Sequence, residues 1–177
     1  EYQKYAKLPI VPLVVTPAGE GIQDSTPILE RFEAEHPEPP IHPGDPVSAF
    51  VSALLEEFGD EWGNKWMFHY RWAREVDQLC SAGRLARALM PGADEEQHAA
   101  MTAMVRERMV GRVWFVGSDA QNAPFIERSF QDALGQLDVH LADRPYLFGG
   151  RPAFADLGLW GQIYNAWTDP TPGALIE

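Results

Sequence analysis

Ile10-Val11-Pro12-Leu13-Val14-Val15, a turn marked by Pro17, Gly19 and Gly21, and then Ile22-Gln23-Asp24-Ser25-Thr26-Pro27-Ile28-Leu29 is the stretch on which the fold reading turns. The first run is rich in β-branched residues and reads as a short strand. Pro12 inside it donates no ladder bond, so it marks either a strand edge or a cis peptide. Ile22 and Gln23 read as a second strand that closes a hairpin. Asp24 to Pro27 is a helix-start signal, with Ser25 or Thr26 as cap and Pro27 in the first turn. The helix that follows carries Ile28, Leu29 and Phe32 on one stripe and ends near His36. Two strands and one helix cannot bury enough surface to fold alone. The chain also opens on Glu1 rather than methionine. The expectation is therefore a piece of a longer protein, with more sheet upstream.

Downstream, Pro37, Pro39, Pro40, Pro43, Gly44 and Pro46 form a proline-rich linker, and the sequence reads as helix after it. Val47, Phe50, Val51, Leu54, Leu55 and Phe58 follow the i, i+3, i+4, i+7 spacing of a helix. Further helices are predicted over about 62–89, with Gly83 as the candidate break, over about 94–115, over about 124–142, and from about Ala153 onward. The domain reading is 1–37, a linker over 38–46, and an all-helical domain over 47–177. The fold class is α/β followed by all-α.

Composition bounds the partners. The 26 acidic and 14 basic residues leave a net charge of −12. Such a surface repels phosphate backbones, which argues against nucleic acid. No run approaches the roughly 18 consecutive apolar residues of a membrane helix. The single cysteine, Cys80, permits no intrachain disulfide, which fits a reducing compartment, and it reads as a small buried residue. The five histidines show no metal-ligand spacing, and no metal is expected.

Two features carry chemistry. A helix start leaves unpaired N–H groups at the positive end of its dipole, which favours carboxylate or phosphate. Ser25 can add a hydroxyl, and Asp24 can hold an ammonium group. Together they could take the α-amino, α-carboxylate head of an amino acid. The same residues also read as a plain helix cap. If Pro12 is cis, Val11 offers its backbone N–H and C=O to an extended peptide, as in strand addition; a trans proline at an edge is the other reading.

A second motif, Tyr146-Leu147-Phe148-Gly149-Gly150-Arg151-Pro152-Ala153-Phe154-Ala155-Asp156, joins the first. In this order, around a proline linker, the two resemble glutathione S-transferases. They look like the second half of the thioredoxin-like glutathione-binding domain and the loop that opens the central helix of the helical domain. The resemblance implies a partial thioredoxin-like domain followed by a transferase-type C-terminal bundle. It implies glutathione as co-substrate, with Val11 before a cis Pro12 pairing with the cysteinyl backbone and Asp24 and Ser25 holding the γ-glutamyl head. Asp156 would accept backbone N–H bonds. It further implies a cytoplasmic homodimer that acts on a small, apolar, electrophilic substrate.

The residue that activates the thiol would lie upstream of Glu1, so no catalytic residue is assigned. A non-catalytic ligand-binding protein or a scaffold on the same fold is the alternative. By the same analogy, Trp62, Trp66, His69 and Tyr70 are candidates for the substrate pocket; core packing is the other reading of these rings. The sequence departs from the family pattern at Ile10, where a polar side chain is frequent, at Pro9, where a glycine is common, and at Ala153, where Ser or Thr usually supplies the cap hydroxyl.

Overall fold

The computed structural model describes residues 2–177, which are mostly helical with one two-stranded sheet. The chain divides into two compact units, Glu1–Pro43 and Gly44–Glu177. In the first, a single helical turn α1 (Tyr2–Tyr5) precedes strands β1 (Leu13–Val15) and β2 (Gly21–Gln23) and helix α2 (Ser25–Glu35). The strands pair antiparallel, with Leu13 opposite Gln23 and Val15 opposite Gly21. β1 is shorter than the predicted Ile10–Val15 run, because Pro12 lies before the ladder and donates nothing to it. The proline-rich segment is tied back to α2: the Ile41 N–H donates to the Glu33 carboxylate at 3.0 Å.

In the second unit, α3 (Pro46–Glu57) runs through one widened turn, Phe58–Gly63, into α4 (Asn64–Ala73). The other helices are α5 (Glu75–Leu89), α6 (Glu95–Val110), α7 (Ala123–Leu141), α8 (Phe154–Trp167) and α9 (Pro170–Ile176). A short 3₁₀ turn covers Val113–Val116.

α4 is the hub, because aromatic residues occupy two of its faces at helical spacing. Trp66 and Tyr70, four apart, pack with Ile126, Phe130 and Leu159 in the main core. Their rings lie 5.6 and 5.3 Å from the Phe130 ring, a distance that suits tilted aromatic pairs. Phe68 and Trp72 face the second cluster, built on Ala82 and Val105 from α5 and α6.

α3 and the widened turn after it approach α8 closely at two glycines. A Cβ on Gly59 would meet the Gly158 and Leu159 backbone at 2.8 Å, and one on Gly158 would meet Glu56 at 2.9 Å. Glycine at both positions is what lets the two backbones approach.

Three expectations are corrected. The break in the predicted 62–89 helix falls at Arg74, whose backbone is extended, and Gly83 lies inside α5. A glycine within a helix costs only about 1 kcal/mol, too little to break it. Glu75 and Asp77, by contrast, suit the positive start of a new helix. The helix predicted to run to Phe115 ends at Val110, and Gly117 at φ 71° closes the 3₁₀ turn after it. Cys80 is exposed, because α5 buries the stripe Asp77, Gln78, Ser81, Ala82 and Ala86 and the cysteine lies off it. The apolar spacing of α3 marks the helix but not its packed side: Ser52 and Glu56 are buried, whereas Phe50 is 68% exposed.

Ser52 explains how α8 starts without a cap hydroxyl of its own. Ala153 has no side-chain acceptor, yet the Ala155 N–H donates to the buried Ser52 Oγ at 3.1 Å. The hydroxyl that an N-cap residue usually supplies comes here from a neighbouring helix.

Candidate functional site

The hairpin brings Val11-Pro12 and Asp24-Ser25 together at one end. The Asp24 N–H donates to the Pro12 carbonyl at 3.2 Å, one step beyond the Leu13–Gln23 pair of the ladder. The Val11–Pro12 peptide is cis, as the resemblance implied. Val11 is 79% exposed, and among the described residues its N–H and C=O have no hydrogen-bond partner. It therefore presents one free donor and one free acceptor at the sheet edge.

Asp24 stands before the first turn of α2 at φ 79°, in the left-handed region that residues with a Cβ seldom adopt. Such conformations cost about 1–3 kcal/mol and cluster at binding sites. Asp24 makes no side-chain cap bond, so its carboxylate is not spent on its own helix. Among the described residues, neither the Asp24 carboxylate nor the Ser25 hydroxyl has a hydrogen-bond or ion-pair partner. An anionic acceptor, a hydroxyl and the start of an eleven-residue helix thus sit beside the free backbone groups of Val11.

Two side chains that sequence reasoning did not single out hold this edge in place. The Gln23 amide oxygen accepts from the Lys7 and Leu8 N–H groups at 2.6 and 3.1 Å. Its amide nitrogen donates to the Leu8 and Ile10 carbonyls at 2.9 and 3.0 Å. The Tyr2 hydroxyl reaches the same two carbonyls. The one sequence signal was a polar amide in a strand, directly before Asp24-Ser25. Lys7 lines a cavity of about 490 Å³ together with Ile10, Asp24 and Arg31. Lys4 instead places its ammonium over the Tyr5 ring.

In the helical unit the four aromatic candidates separate. Trp62 is 43% exposed, whereas Trp66, His69 and Tyr70 are each 1% exposed and belong to the core. Trp66 forms one wall of an apolar cavity of about 300 Å³, with Val51, Leu55, Phe58, Leu137 and Leu159 among its other walls; Trp62, His69 and Tyr70 do not line it. Burial pushes the Tyr70 hydroxyl up, and the neighbouring Glu127 carboxylate adds to that, which keeps it neutral.

His69 is held at both ring nitrogens. Nδ1 lies 2.7 Å from Ser118 Oγ, and Nε2 lies 3.0 Å from the Glu127 carboxylate. Arg74 donates to the same carboxylate at 2.5 Å. Partial burial pushes Glu127 up, but the hydrogen bonds from His69 and Arg74 outweigh it, and its carboxyl titrates below the usual carboxylate range. A carboxyl lowered in the folded state stabilises the fold above its unfolded value, about 4.3, and that contribution fades as pH falls through the lowered folded value. The stability gap between wild type and Glu127→Gln is therefore expected to be constant near neutrality and to shrink as pH falls below about 4.3. Urea unfolding at a series of pH values checks this; a gap that is flat through that window would mean that Glu127 is not held by charge. Among the described residues no cluster of histidine, cysteine, aspartate and glutamate could hold a metal ion.

Residues 103–176 match the family model described as "Glutathione S-transferase, C-terminal domain". Over that segment the helical unit is similar to a glutathione S-transferase C-terminal domain. This supports a glutathione S-transferase-like family for the chain, as the two sequence motifs implied. Comparison with curated proteins and with solved structures gave no match. The matched segment of the transferase C-terminal domain runs from within α6 to the end of α9 and includes the Asp156 motif. There Asp156 accepts from the Leu147 N–H at 3.0 Å and the Ala153 N–H at 2.8 Å, the structural role that the resemblance gave it. No helix among the described residues is long and apolar enough to cross a membrane.

Proposed function

We propose that this chain is part of a glutathione-using transferase whose first unit is the second half of a thioredoxin-like glutathione-binding domain. The observation that carries the reading is the juxtaposition at the hairpin end. The free N–H and C=O of Val11, the unspent carboxylate of Asp24, the Ser25 hydroxyl and the start of α2 share one edge. These groups suit glutathione. Its cysteinyl backbone can pair with Val11 as an added strand. Its γ-glutamyl ammonium suits Asp24, and its α-carboxylate suits Ser25 and the helix start. When bound, glutathione supplies a thiol whose thiolate form attacks an electrophilic carbon. The chain's own residues bind and orient: Val11 fixes the peptide direction, and Asp24 and Ser25 fix the head group. The 300 Å³ apolar cavity of the helical unit is of a size for a small organic molecule. A small electrophilic substrate, a homodimeric assembly and a cytoplasmic setting complete the proposal.

The test is calorimetric titration of the full chain with glutathione, with Ser25→Ala alongside. A hydrogen bond to a charged group contributes about 1.5–3 kcal/mol, so the variant is expected to bind about 10- to 100-fold more weakly. Saturable binding that Ser25→Ala leaves untouched would move the head group away from the helix start. An unmutated chain that does not bind glutathione would overturn the assignment.

A further inference from the structure

Gln23 makes more side-chain hydrogen bonds to backbone than any other residue described in the first unit, and all of them go to one loop. The segment 7–10 lies outside helix and sheet. Among the described residues its backbone groups make no bond to other backbone groups. The bonds it makes are to side chains. Lys7 and Leu8 N–H groups end on the Gln23 amide oxygen, and Leu8 and Ile10 carbonyls take the Gln23 amide nitrogen. Both lone pairs of the oxygen are used, and the two N–H groups face the two carbonyls with the Tyr2 hydroxyl 3.3 Å away. The amide is thereby saturated, and only one orientation of its O and N satisfies the loop. The last residue clamped, Ile10, directly precedes Val11, and Gln23 itself directly precedes Asp24.

We infer that Gln23 is a positioning residue that sets the Val11 edge against the Asp24-Ser25 head-group site, an inference that rests on the glutathione reading above. One side chain ties the segment leading into Val11 to the strand leading into Asp24, so it fixes the separation of the two halves of the site. A ligand that spans both halves needs that separation constant, because its hydrogen bonds to the two halves form together only at one spacing. An apolar side chain of similar size, as in Gln23→Leu, removes all four loop bonds. Gln23→Glu keeps the two accepted bonds and loses the two donated ones.

The experiment uses the full chain, with glutathione as the probe. Titration calorimetry is run on wild type, Gln23→Leu and Gln23→Glu, together with amide hydrogen exchange of Lys7, Leu8 and Val11 and thermal unfolding. Glutathione is expected to slow Val11 exchange in wild type. Gln23→Leu is expected to bind about 10- to 100-fold more weakly, to lose that protection and to exchange Lys7 and Leu8 faster. Gln23→Glu is expected to fall between the two, and it carries the test if Gln23→Leu does not fold. If both variants bind as tightly as wild type while their Lys7 and Leu8 amides open, this inference is overturned and the glutathione reading stands. Loss of binding only in step with a lowered unfolding temperature would reduce Gln23 to general stability and also overturn it. Absence of binding in wild type overturns the glutathione reading, and this inference with it.

Discussion

Replacing Asp169 by alanine is expected to lower the unfolding free energy by about 3–5 kcal/mol. Its carboxylate is fully buried and receives Arg71 Nε and Arg84 Nη2 at 2.7 Å each, with the Ser81 hydroxyl on the same oxygen as Arg84. The same two arginines donate to the Asn165 and Thr168 carbonyls, so the cluster fastens the end of α8 to α4 and α5. Most of the loss comes from what alanine leaves behind, a largely buried Arg71 with its partner gone, its side chain only 13% exposed. Arg84 is 41% exposed and screened by water, and it contributes less. Asp169→Asn, which keeps one acceptor, is expected to lose about half as much. Denaturant unfolding at constant m-value reads the difference. A loss below about 1 kcal/mol would show that water replaces the pair freely.

The second large effect is expected at Asp156. Its two oxygens accept the Leu147 and Ala153 N–H groups, which joins the loop before α8 to the start of that helix. Ala153 offers no hydroxyl, so the Ser52 bond to Ala155 and the Asp156 bonds are the side-chain support at this helix start. Asp156→Ala frees two partly buried donors at the positive end of a helix, for a loss of about 2–4 kcal/mol. Asp156→Asn keeps an acceptor for one of the two donors and should recover part of it. If the alanine variant unfolds at the wild-type midpoint, the capping role is wrong.

Much of this architecture is legible from the chain because it is written in local periodicity. Val47 to Phe58 and Ile126 to Leu141 repeat at helical spacing, and α3 and α7 form there. The candidate glutathione residues were legible for a related reason. Val11-Pro12 directly precedes one strand of the hairpin and Asp24-Ser25 directly follows the other, so antiparallel register alone brings them together. Gln23 was not legible as a clamp, because nothing local says that a loop 13 to 16 residues earlier will end on its amide. The His69 network was hidden more deeply, since Ser118 and Glu127 lie 49 and 58 residues away. Its ring is among the most buried in the protein although its sequence setting reads equally as a pocket wall.

α9 divides the two kinds of information most sharply. Pro170-Thr171-Pro172-Gly173 is poor helix material. The helix forms because a tertiary contact completes its first turn: the Thr171 N–H donates to Asp77 of α5 at 2.7 Å, while Asp169 is spent on Arg71 and Arg84. The sequence by itself determined the element types wherever apolar spacing or a capping signal was complete within one segment, and it determined the two motifs that point to the glutathione S-transferase family. The tertiary structure decided which face of α3 is packed, which hydroxyl serves the start of α8 and whether α9 exists. The physical reason is common to all three. Each depends on a hydrogen bond, ion pair or close backbone contact between residues distant in the chain, and no local propensity encodes such a partner.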